Sequence, residues 1–167
     1  MNKKIRLYFS DKIQSDLVAH LQKEQSHYLK DVMRLKVGAT FSVFNSEGEW
    51  SGCVQNYEKK FTKIKILEKV RDKKSEQNIW LAFSPIKQNP LNFIIQKGTE
   101  LGVKKFIPIL SERTAVKDIN IERVKKIIIE SAEQSNRISV PEITKLETLK
   151  NFISSFPQEG SLVFCDI

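Results

Sequence analysis

The sequence has few of the residues that build metal centres, disulfide frameworks and glycine-rich cofactor loops. Its 167 residues include two cysteines, two histidines and six glycines. Cys53 and Cys165 are too few for a disulfide scaffold or a four-thiolate zinc site, and their spacing forms no ligand pair. His20 and His27 are the only two histidines, which is too few for a histidine-rich metal centre. We therefore expect no metal site.

Long apolar runs and the common catalytic motifs are also missing. No segment approaches the ~18 apolar residues of a membrane-spanning helix, and no secretory leader follows Met1. Gly-x-Gly-x-x-Gly, the Walker loop, His-Glu-x-x-His and Gly-x-Ser-x-Gly do not occur. The composition, 40% hydrophobic and 29% charged, is that of a globular protein. We expect a reduced, cytoplasmic protein with no membrane partner.

The positive charge is concentrated in the first half of the chain. The whole sequence carries a net charge of +8, and residues 1–74, with 16 Lys and Arg against 9 Asp and Glu, account for +7 of it. Lysine and arginine gain binding energy by releasing counterions from phosphates, so this surplus favours a nucleic-acid partner. A merely solvating surface is the alternative.

The first half has the pattern of short β-strands joined by tight turns. Strands are predicted over Thr40–Asn45, Glu49–Tyr57 and Lys60–Lys69, which indicates a small barrel or sandwich. Before them, apolar residues at helical spacing predict a helix over Gln25–Leu35. Val70–Asn78 holds one apolar residue in nine and is predicted to be a linker.

The second half alternates strands and helices, which predicts a parallel α/β sheet. The predicted strands are Ile79–Ser84, Lys105–Leu110 and Ser161–Ile167. The predicted helices are Leu91–Leu101, Ile121–Asn136 and Leu146–Ser154. Asn89 is the expected cap of the first helix and Pro90 its first residue. The run Ile79–Ser84 is continuously apolar, as expected of a strand covered on both faces.

The last predicted strand has no helix after it to cover its second face. Parallel strands are normally buried on both faces, and ligands bind in the loops that follow such strands. The sequence stops where one such loop should begin. We therefore expect a fragment of a longer protein, the alternative being a short form whose last strand is covered by a partner subunit.

Polar residues suggest four candidate binding groups. These are Lys30 with Arg34 and Lys36 on and after the first helix, Lys97 with Glu100, Arg113 with Lys117 after the second strand, and Gln134 with Arg137 at the end of the long helix. Ion pairs or caps on a solvated face are the alternative for the groups of the second half.

Several of these residues belong to runs that resemble a known family. The runs are Ile95–Val103, Ser111–Arg113 with Val116–Lys117, Ala132–Arg137 with Val140–Ile143, and His27–Gly38. Together they resemble the ribosomal RNA small subunit methyltransferase E family. The resemblance implies a PUA-like RNA-binding β-barrel over residues 1–72 and the first part of a SPOUT α/β-knot methyltransferase domain over 76–167.

The resemblance also implies a function. Family members use S-adenosylmethionine to methylate N3 of a uridine in small-subunit (16S) ribosomal RNA, and SPOUT enzymes pair as homodimers. The family's Gly-Pro-Glu-Gly-Gly and Leu-Arg-x-Glu-Thr-Ala motifs, which form the cofactor pocket, do not occur here. We therefore expect no cofactor-binding residue within 1–167 and no activity from these residues alone. An RNA-binding module without catalysis is the alternative, and no catalytic residue is assigned.

Overall fold

The computed structural model describes residues 5–59, 61–112, 114 and 116–165. Internal contacts divide the chain into two compact units. The first unit contains Met1–Gln77 and Ile128–Val140, and the second contains Asn78–Ile127 and Pro141–Ile167. A stretch from the second half of the sequence therefore completes the first unit. The domain boundary between residues 72 and 76 stays a prediction.

The first unit is built on one five-stranded sheet. Its strands are β1 (Arg6–Tyr8), β2 (Val18–Leu21), β3 (Thr40–Asn45), β4 (Gly48–Tyr57) and β5 (Thr62–Asp72), in the order β1-β3-β4-β5-β2. β1 pairs with β3 in parallel and the other pairs are antiparallel. The three predicted strands are confirmed, although β5 continues three residues into the predicted linker. Its predicted start, Lys60, lies outside the described residues.

Alternation along the strands places one face of this sheet in the core. Thr62, Ile64 and Ile66 of β5 are buried, whereas Lys63 and Lys65 between them are only partly covered. Each fully buried aliphatic side chain contributes roughly 1.5–3 kcal/mol. The buried apolar members of this core include Leu7, Leu21, Leu29, Phe41, Val43, Trp50, Val54, Ile64 and Ile66.

The predicted helix over Gln25–Leu35 is only partly right. The chain forms a short helix, α1 (Lys23–His27), followed by one π-helical turn over Tyr28–Val32. The Met33 amide donates to the Tyr28 carbonyl at 2.8 Å, which widens the turn by one residue. Leu29 is fully buried in this turn and its neighbours are exposed. Burial of Leu29, rather than a regular helical face, therefore fixes the segment on the sheet.

The second unit contains a parallel sheet centred on one strand. Its elements are β6 (Trp80–Phe83), α2 (Gln88–Glu100), β7 (Lys105–Leu110), β8 (Glu142–Ile143), β9 (Glu147–Thr148) and α4 (Leu149–Ser154), and α3 (Ile121–Gln134) contributes its first half. β7 pairs in parallel with β6, β8 and β9. The predicted parallel α/β arrangement is confirmed.

Two helix starts differ from the prediction. α2 begins at Gln88 with Lys87 at the N-cap position, so Asn89 is not the cap. Pro90 lies in the first turn, where a missing N–H removes no intrahelical bond. α4 begins at Leu149, because Glu147 and Thr148 pair with β7 instead.

The predicted last strand is wrong over the residues that the structure describes. Residues 161–165 are exposed and form no strand, while 166 and 167 lie outside the described residues. β7 already has neighbours on both sides, and residues 161–165 do not pair with the outer edge of β6 either. All four residues of β6 are half-buried rather than buried, because this strand lies at the edge of the sheet.

Within the described ranges, no helix is long and apolar enough to cross a membrane. The same residues contain no group of three or more His, Cys, Asp or Glu side chains placed to hold a metal ion.

Candidate functional site

The basic segment after α1 is exposed and is attached to the sheet by one tyrosine. The side chains of Lys30, Arg34 and Lys36 lie at the surface. Lys30 Nζ lies 5.7 Å from the centre of the Tyr57 ring, and the Tyr57 hydroxyl donates to the Leu35 carbonyl at 2.7 Å. Burial, together with the nearby Asp31 carboxylate, raises the pKa of Tyr57. The phenol therefore stays neutral and keeps its donor role.

Arg34 has an unusual backbone conformation. Its φ of 51° lies in the left-handed region, which non-glycine residues rarely adopt. Such strain costs on the order of 1–3 kcal/mol and, like single π-helical turns, is common at functional sites. The geometry therefore favours a binding role for the basic segment (Lys30, Arg34 and Lys36), and that role stays a prediction.

Hydroxyl groups collect where β6 and β7 end. Ser84 follows β6 and Ser111 follows β7, and their Oγ atoms are 3.3 Å apart. Thr114 Oγ1 lies 2.8 Å from Ser111 Oγ and accepts a hydrogen bond from the Ser111 amide, also at 2.8 Å. Ligands of open α/β sheets bind at this carboxyl edge. We call Ser84, Ser111 and Thr114 the strand-end hydroxyls.

The predicted basic residues of this edge are only partly described. Lys117 is exposed in the connection that follows β7. Arg113 lies outside the described residues.

Lys97 and Glu100 contact each other on α2. Lys97 Nζ lies 2.7 Å from Glu100 Oε2, and the Gln96 amide donates to Oε1 at 2.9 Å. Hydrogen bonds from Lys97 and Gln96 lower the pKa of Glu100. Lys97 also lies 5.9 Å from the centre of the Phe93 ring. The two residues thus form the ion pair that was the alternative to a binding role, and the binding role stays a prediction.

Arg137 is buried inside the first unit. Only 8% of the residue is exposed, and its guanidinium donates to the Glu76 carboxylate at 2.5 Å and to Ser139 Oγ at 2.7 Å. Gln134, three residues earlier, is exposed. The two predicted partners therefore differ: Gln134 is free to meet a ligand from solvent, whereas Arg137 has a structural ion pair.

A buried cluster of charged residues in the first unit has no counterpart among the sequence predictions. Arg6 donates hydrogen bonds at 2.7–3.0 Å to the carbonyl oxygens of Ala132 and Glu133 at the end of α3 and of Arg137 just beyond it. A cation is favoured there, because the end of a helix carries a partial negative charge. Its guanidinium also lies 4.2 Å from the centre of the Phe44 ring.

Glu49 supplies the opposite charge in this cluster. Its Oε2 lies 3.3 Å from Arg6 and 2.6 Å from Arg71. Burial works against ionisation, but the Ser42 hydroxyl and the two guanidiniums prevail and lower the pKa of Glu49. We call Arg6, Glu49 and Arg71 the buried ionic cluster. The only feature of the sequence that could have indicated this cluster is that Arg6 lies within an apolar run. That feature does not show that Arg6 binds a carbonyl oxygen 126 residues away.

Comparisons with known proteins match both halves of the chain. The family model described as an RNA methyltransferase domain matches residues 73–166, more than half of the sequence. The model described as an RNA methyltransferase PUA domain matches residues 21–67.

Curated relatives carry one name. Ribosomal RNA small subunit methyltransferase E of Rickettsia conorii is 30% identical over 150 residues, covering 89% of this chain and 62% of the relative. The protein of the same name from Bacillus subtilis is 30% identical over 138 residues, covering 78% of this chain and 54% of the relative. The chain thus spans about three fifths of the length of such relatives.

Solved structures share the fold. Ribosomal RNA small subunit methyltransferase E of Neisseria gonorrhoeae, bound to S-adenosyl methionine, gives a TM-score of 0.85 at 25% identity, covering 94% of this chain and 67% of that one. A Legionella pneumophila methyltransferase in complex with the same cofactor gives 0.87 at 25% identity, covering 94% and 68%.

A PUA-type sheet and a parallel α/β unit with these matches define a chain of the RNA methyltransferase class. The chain belongs to the RNA methyltransferase family whose curated members are named ribosomal RNA small subunit methyltransferase E. The predicted fold class and the resemblance are confirmed.

Proposed function

We propose that the protein methylates N3 of a uridine in small-subunit ribosomal RNA, with S-adenosylmethionine as the methyl donor. The main support is that the family models of an RNA methyltransferase domain and of an RNA methyltransferase PUA domain match successive parts of this chain. The names of the relatives and the cofactor in two solved neighbours support the same activity.

The reaction sets requirements for the substrate side of the site. S-adenosylmethionine, when bound, would supply an electrophilic methyl group. What the protein's own residues must do is let the N3 proton leave to a base. N3 is a poor nucleophile while protonated, so the site must favour the deprotonated imide. Fixed donors near the uracil oxygens stabilise the charge that develops there.

We assign the basic segment to the RNA backbone. Its three cations are exposed and lie within seven residues of one another, so they can meet successive phosphates. The contact between Lys30 and Tyr57, together with the hydrogen bond from Tyr57 to Leu35, orders the segment before RNA arrives. A preorganised segment loses less conformational entropy on binding.

We assign the strand-end hydroxyls to the substrate edge of the second unit, with Lys117 in the same connection. Hydroxyls both donate and accept, so they suit phosphate oxygens as well as uracil carbonyls. Their contacts at 2.8 and 3.3 Å hold them in one group. Arg113, Lys97, Glu100, Gln134 and Arg137 remain predicted substrate-side residues.

The described residues fit one edge of a cofactor site and not the whole of it. The strand-end hydroxyls could reach polar atoms of S-adenosylmethionine, but Ser84 and Ser111 are exposed rather than set in a pocket. No glycine occurs between Gly102 and Gly160, so the backbone there has none of the positions that allow close approach to an adenosine. We therefore derive no step through the cofactor.

The activity is tested by incubating the product of the whole gene with small-subunit RNA and S-adenosylmethionine. A methyl group on N3 blocks Watson–Crick pairing, so reverse transcription should stop beside the modified uridine. Mass spectrometry of the digested RNA should then show N3-methyluridine. Tight RNA binding with no methyl transfer would instead favour an RNA-binding module without catalysis.

The RNA surface is tested by a salt series. Replacing both Arg34 and Lys36 with Ala should weaken RNA binding and reduce the salt slope by roughly one unit per lost phosphate contact. The matched control replaces Lys126 and Lys150, two exposed lysines of the second unit. An unchanged slope in the Arg34 and Lys36 variant would remove the basic segment from the interface.

We also propose that the protein acts as a homodimer. The support is a set of exposed apolar side chains in the second unit, among them Phe93 and Leu101 of the α2 region and Val163 and Phe164. Sedimentation of the whole gene product as a monomer at micromolar concentration would contradict this proposal.

A further inference from the structure

An aromatic pair lies exposed on the first unit, away from the basic segment in sequence. Phe61, just before β5, is 47% exposed, and the His20 side chain on β2 is 53% exposed. The ring centres are 6.3 Å apart and the ring planes meet at 69°, an edge-to-face contact. One ring supports the other while both remain open to solvent.

The strand register explains why these rings point outward. β2 pairs with β5 so that His20 lies opposite Lys63 and Leu21 lies opposite Thr62. Leu21 and Thr62 are buried, and side chains alternate between the faces of a sheet. His20 and Lys63 therefore share the outer face.

The turn between β4 and β5 holds the pair in place. The Glu58 amide donates to the Phe61 carbonyl at 2.9 Å, and a Glu58 carboxylate oxygen lies 3.9 Å from His20 Nε2. The Thr62 amide donates to Ser26 Oγ at 2.8 Å, which ties this turn to α1. These hydrogen bonds fix the backbone at Phe61 and Thr62.

Charges of both signs lie beside the rings, with the Glu58 carboxylate near His20 and the Lys63 ammonium on the same outer face. Lys63 makes no ion pair among the described residues, whereas Lys65 is bridged to Asp16 at 2.8 Å. An unbridged lysine beside an exposed ring matches single-stranded nucleic acid, in which phosphates alternate with bases. This complementarity favours RNA over a purely apolar partner.

We infer that His20 and Phe61 form a stacking platform for one unpaired base of RNA, with Lys63 contacting the adjacent phosphate. The inference rests on the proposed RNA-modifying function and adds to it a contact outside the basic segment. Because every base has a π face, the platform binds single strands with little sequence preference.

The test uses an unstructured twelve-nucleotide RNA that carries 2-aminopurine, whose fluorescence is quenched on stacking. Phe61→Leu keeps an apolar side chain but removes the ring, and should weaken binding about five- to hundredfold and abolish the quenching. Phe61→Tyr should retain both. Val18→Ala, which shortens another exposed apolar side chain of β2, is the matched control and should bind as wild type does.

Salt dependence separates the two kinds of contact. Phe61→Leu should leave the salt slope unchanged, whereas Lys63→Ala should lower it by roughly one unit. Phe61 is half-exposed, so we expect the variants to fold; an unchanged urea midpoint reported by Trp50 fluorescence checks this.

Several outcomes would overturn the platform. It fails if the wild-type protein binds the RNA without quenching, or if Phe61→Leu binds and quenches as wild type does. Equal losses in Phe61→Leu and Val18→Ala would assign the face to an apolar partner, and loss of self-association alone would assign it to a second copy. Failure of the proposed function looks different: small-subunit RNA is then not methylated, whatever residue 61 is.

Discussion

The two units of the chain place their charged side chains differently. In the first unit, Arg6 and Glu49 are buried and connect the sheet to the end of α3. In the second unit, Lys97 and Glu100 form a pair at the surface of one helix, and the helix is held to the sheet by apolar contacts. Removing one charge from a buried pair is costly, whereas an exposed pair adds little. Oppositely charged pairs therefore contribute to the stability of the first unit and contribute little to that of the second.

Two tryptophans allow this contrast to be measured. Trp50 is buried in the first unit, and Trp80 is half-buried in the second. In a Trp80→Phe background only Trp50 remains, so its fluorescence should report urea unfolding of the first unit. In a Trp50→Phe background only Trp80 remains, and it should report unfolding of the second unit.

The largest effect is expected from Arg6→Met. The substitution removes three hydrogen bonds to the end of α3 and leaves Glu49 with one cation fewer. We expect a loss of about 3 kcal/mol in the transition reported by Trp50. Adding Glu49→Gln should restore part of the loss, because the uncompensated charge is then gone. A loss below about 1 kcal/mol would show that the cluster does not hold the first unit together.

Gly98→Ala tests the packing of α2. A Cβ at this position would lie 2.8 Å from Phe106 Cε1, and Phe106 is fully buried on β7. Alanine favours a helix by about 1 kcal/mol, but overpacking typically costs about 1–3 kcal/mol. We expect net destabilisation in the transition reported by Trp80. Asn89→Ala, in the exposed first turn of the same helix, is the control, and a stabilised Gly98→Ala variant would contradict close packing.

Glu133→Gln gives a smaller effect with a defined pH dependence. Burial raises the pKa of Glu133, although its Oε1 accepts a hydrogen bond from the Tyr8 amide. The ionised form therefore costs stability above the raised folded pKa, and protonation removes that cost as the pH falls. Glutamine keeps the acceptor without the charge. The variant should be more stable than wild type at pH 8, and the two should converge on acidification; a constant difference would exclude this cause.

Lys97→Met should have the smallest effect. It breaks the exposed pair with Glu100, and we expect no measurable change in the Trp80 midpoint. A clear loss of stability would show that the exposed pair also stabilises its unit, and the two units would then not differ in this respect. A loss of methyl transfer at unchanged stability would instead support the predicted substrate role of Lys97.

Local patterns predicted most of the secondary structure. Alternating residues gave β3, β4 and most of β5, and Val124, Ile128 and Ala132 are buried on one face of α3 as their spacing predicts. The π-helical turn was not predictable, because it depends on how Leu29 reaches the core. Residues 161–165 have the composition of a strand, yet composition cannot tell whether a segment pairs with a neighbouring strand.

The candidate site was predicted less completely. The exposed positions of Lys30, Arg34 and Lys36 follow from their polar spacing around one buried leucine. The strand-end hydroxyls were not predicted, because nothing in the local sequence distinguishes Ser84 and Ser111. They become neighbours only because β6 and β7 pair in parallel and end side by side. The burial of Arg137 depends on Glu76, which is distant in sequence.

The bonds from Arg6 to the end of α3 also have a consequence for the order of folding during synthesis. Arg6 leaves the ribosome before its carbonyl partners, the first of which is made 126 residues later. At roughly 5–20 residues per second, about 6–25 seconds of synthesis separate Arg6 from these partners. The first unit therefore has a high contact order at its N-terminal edge. Pulse proteolysis of stalled nascent chains should find β1 protected only once residue 137 has emerged.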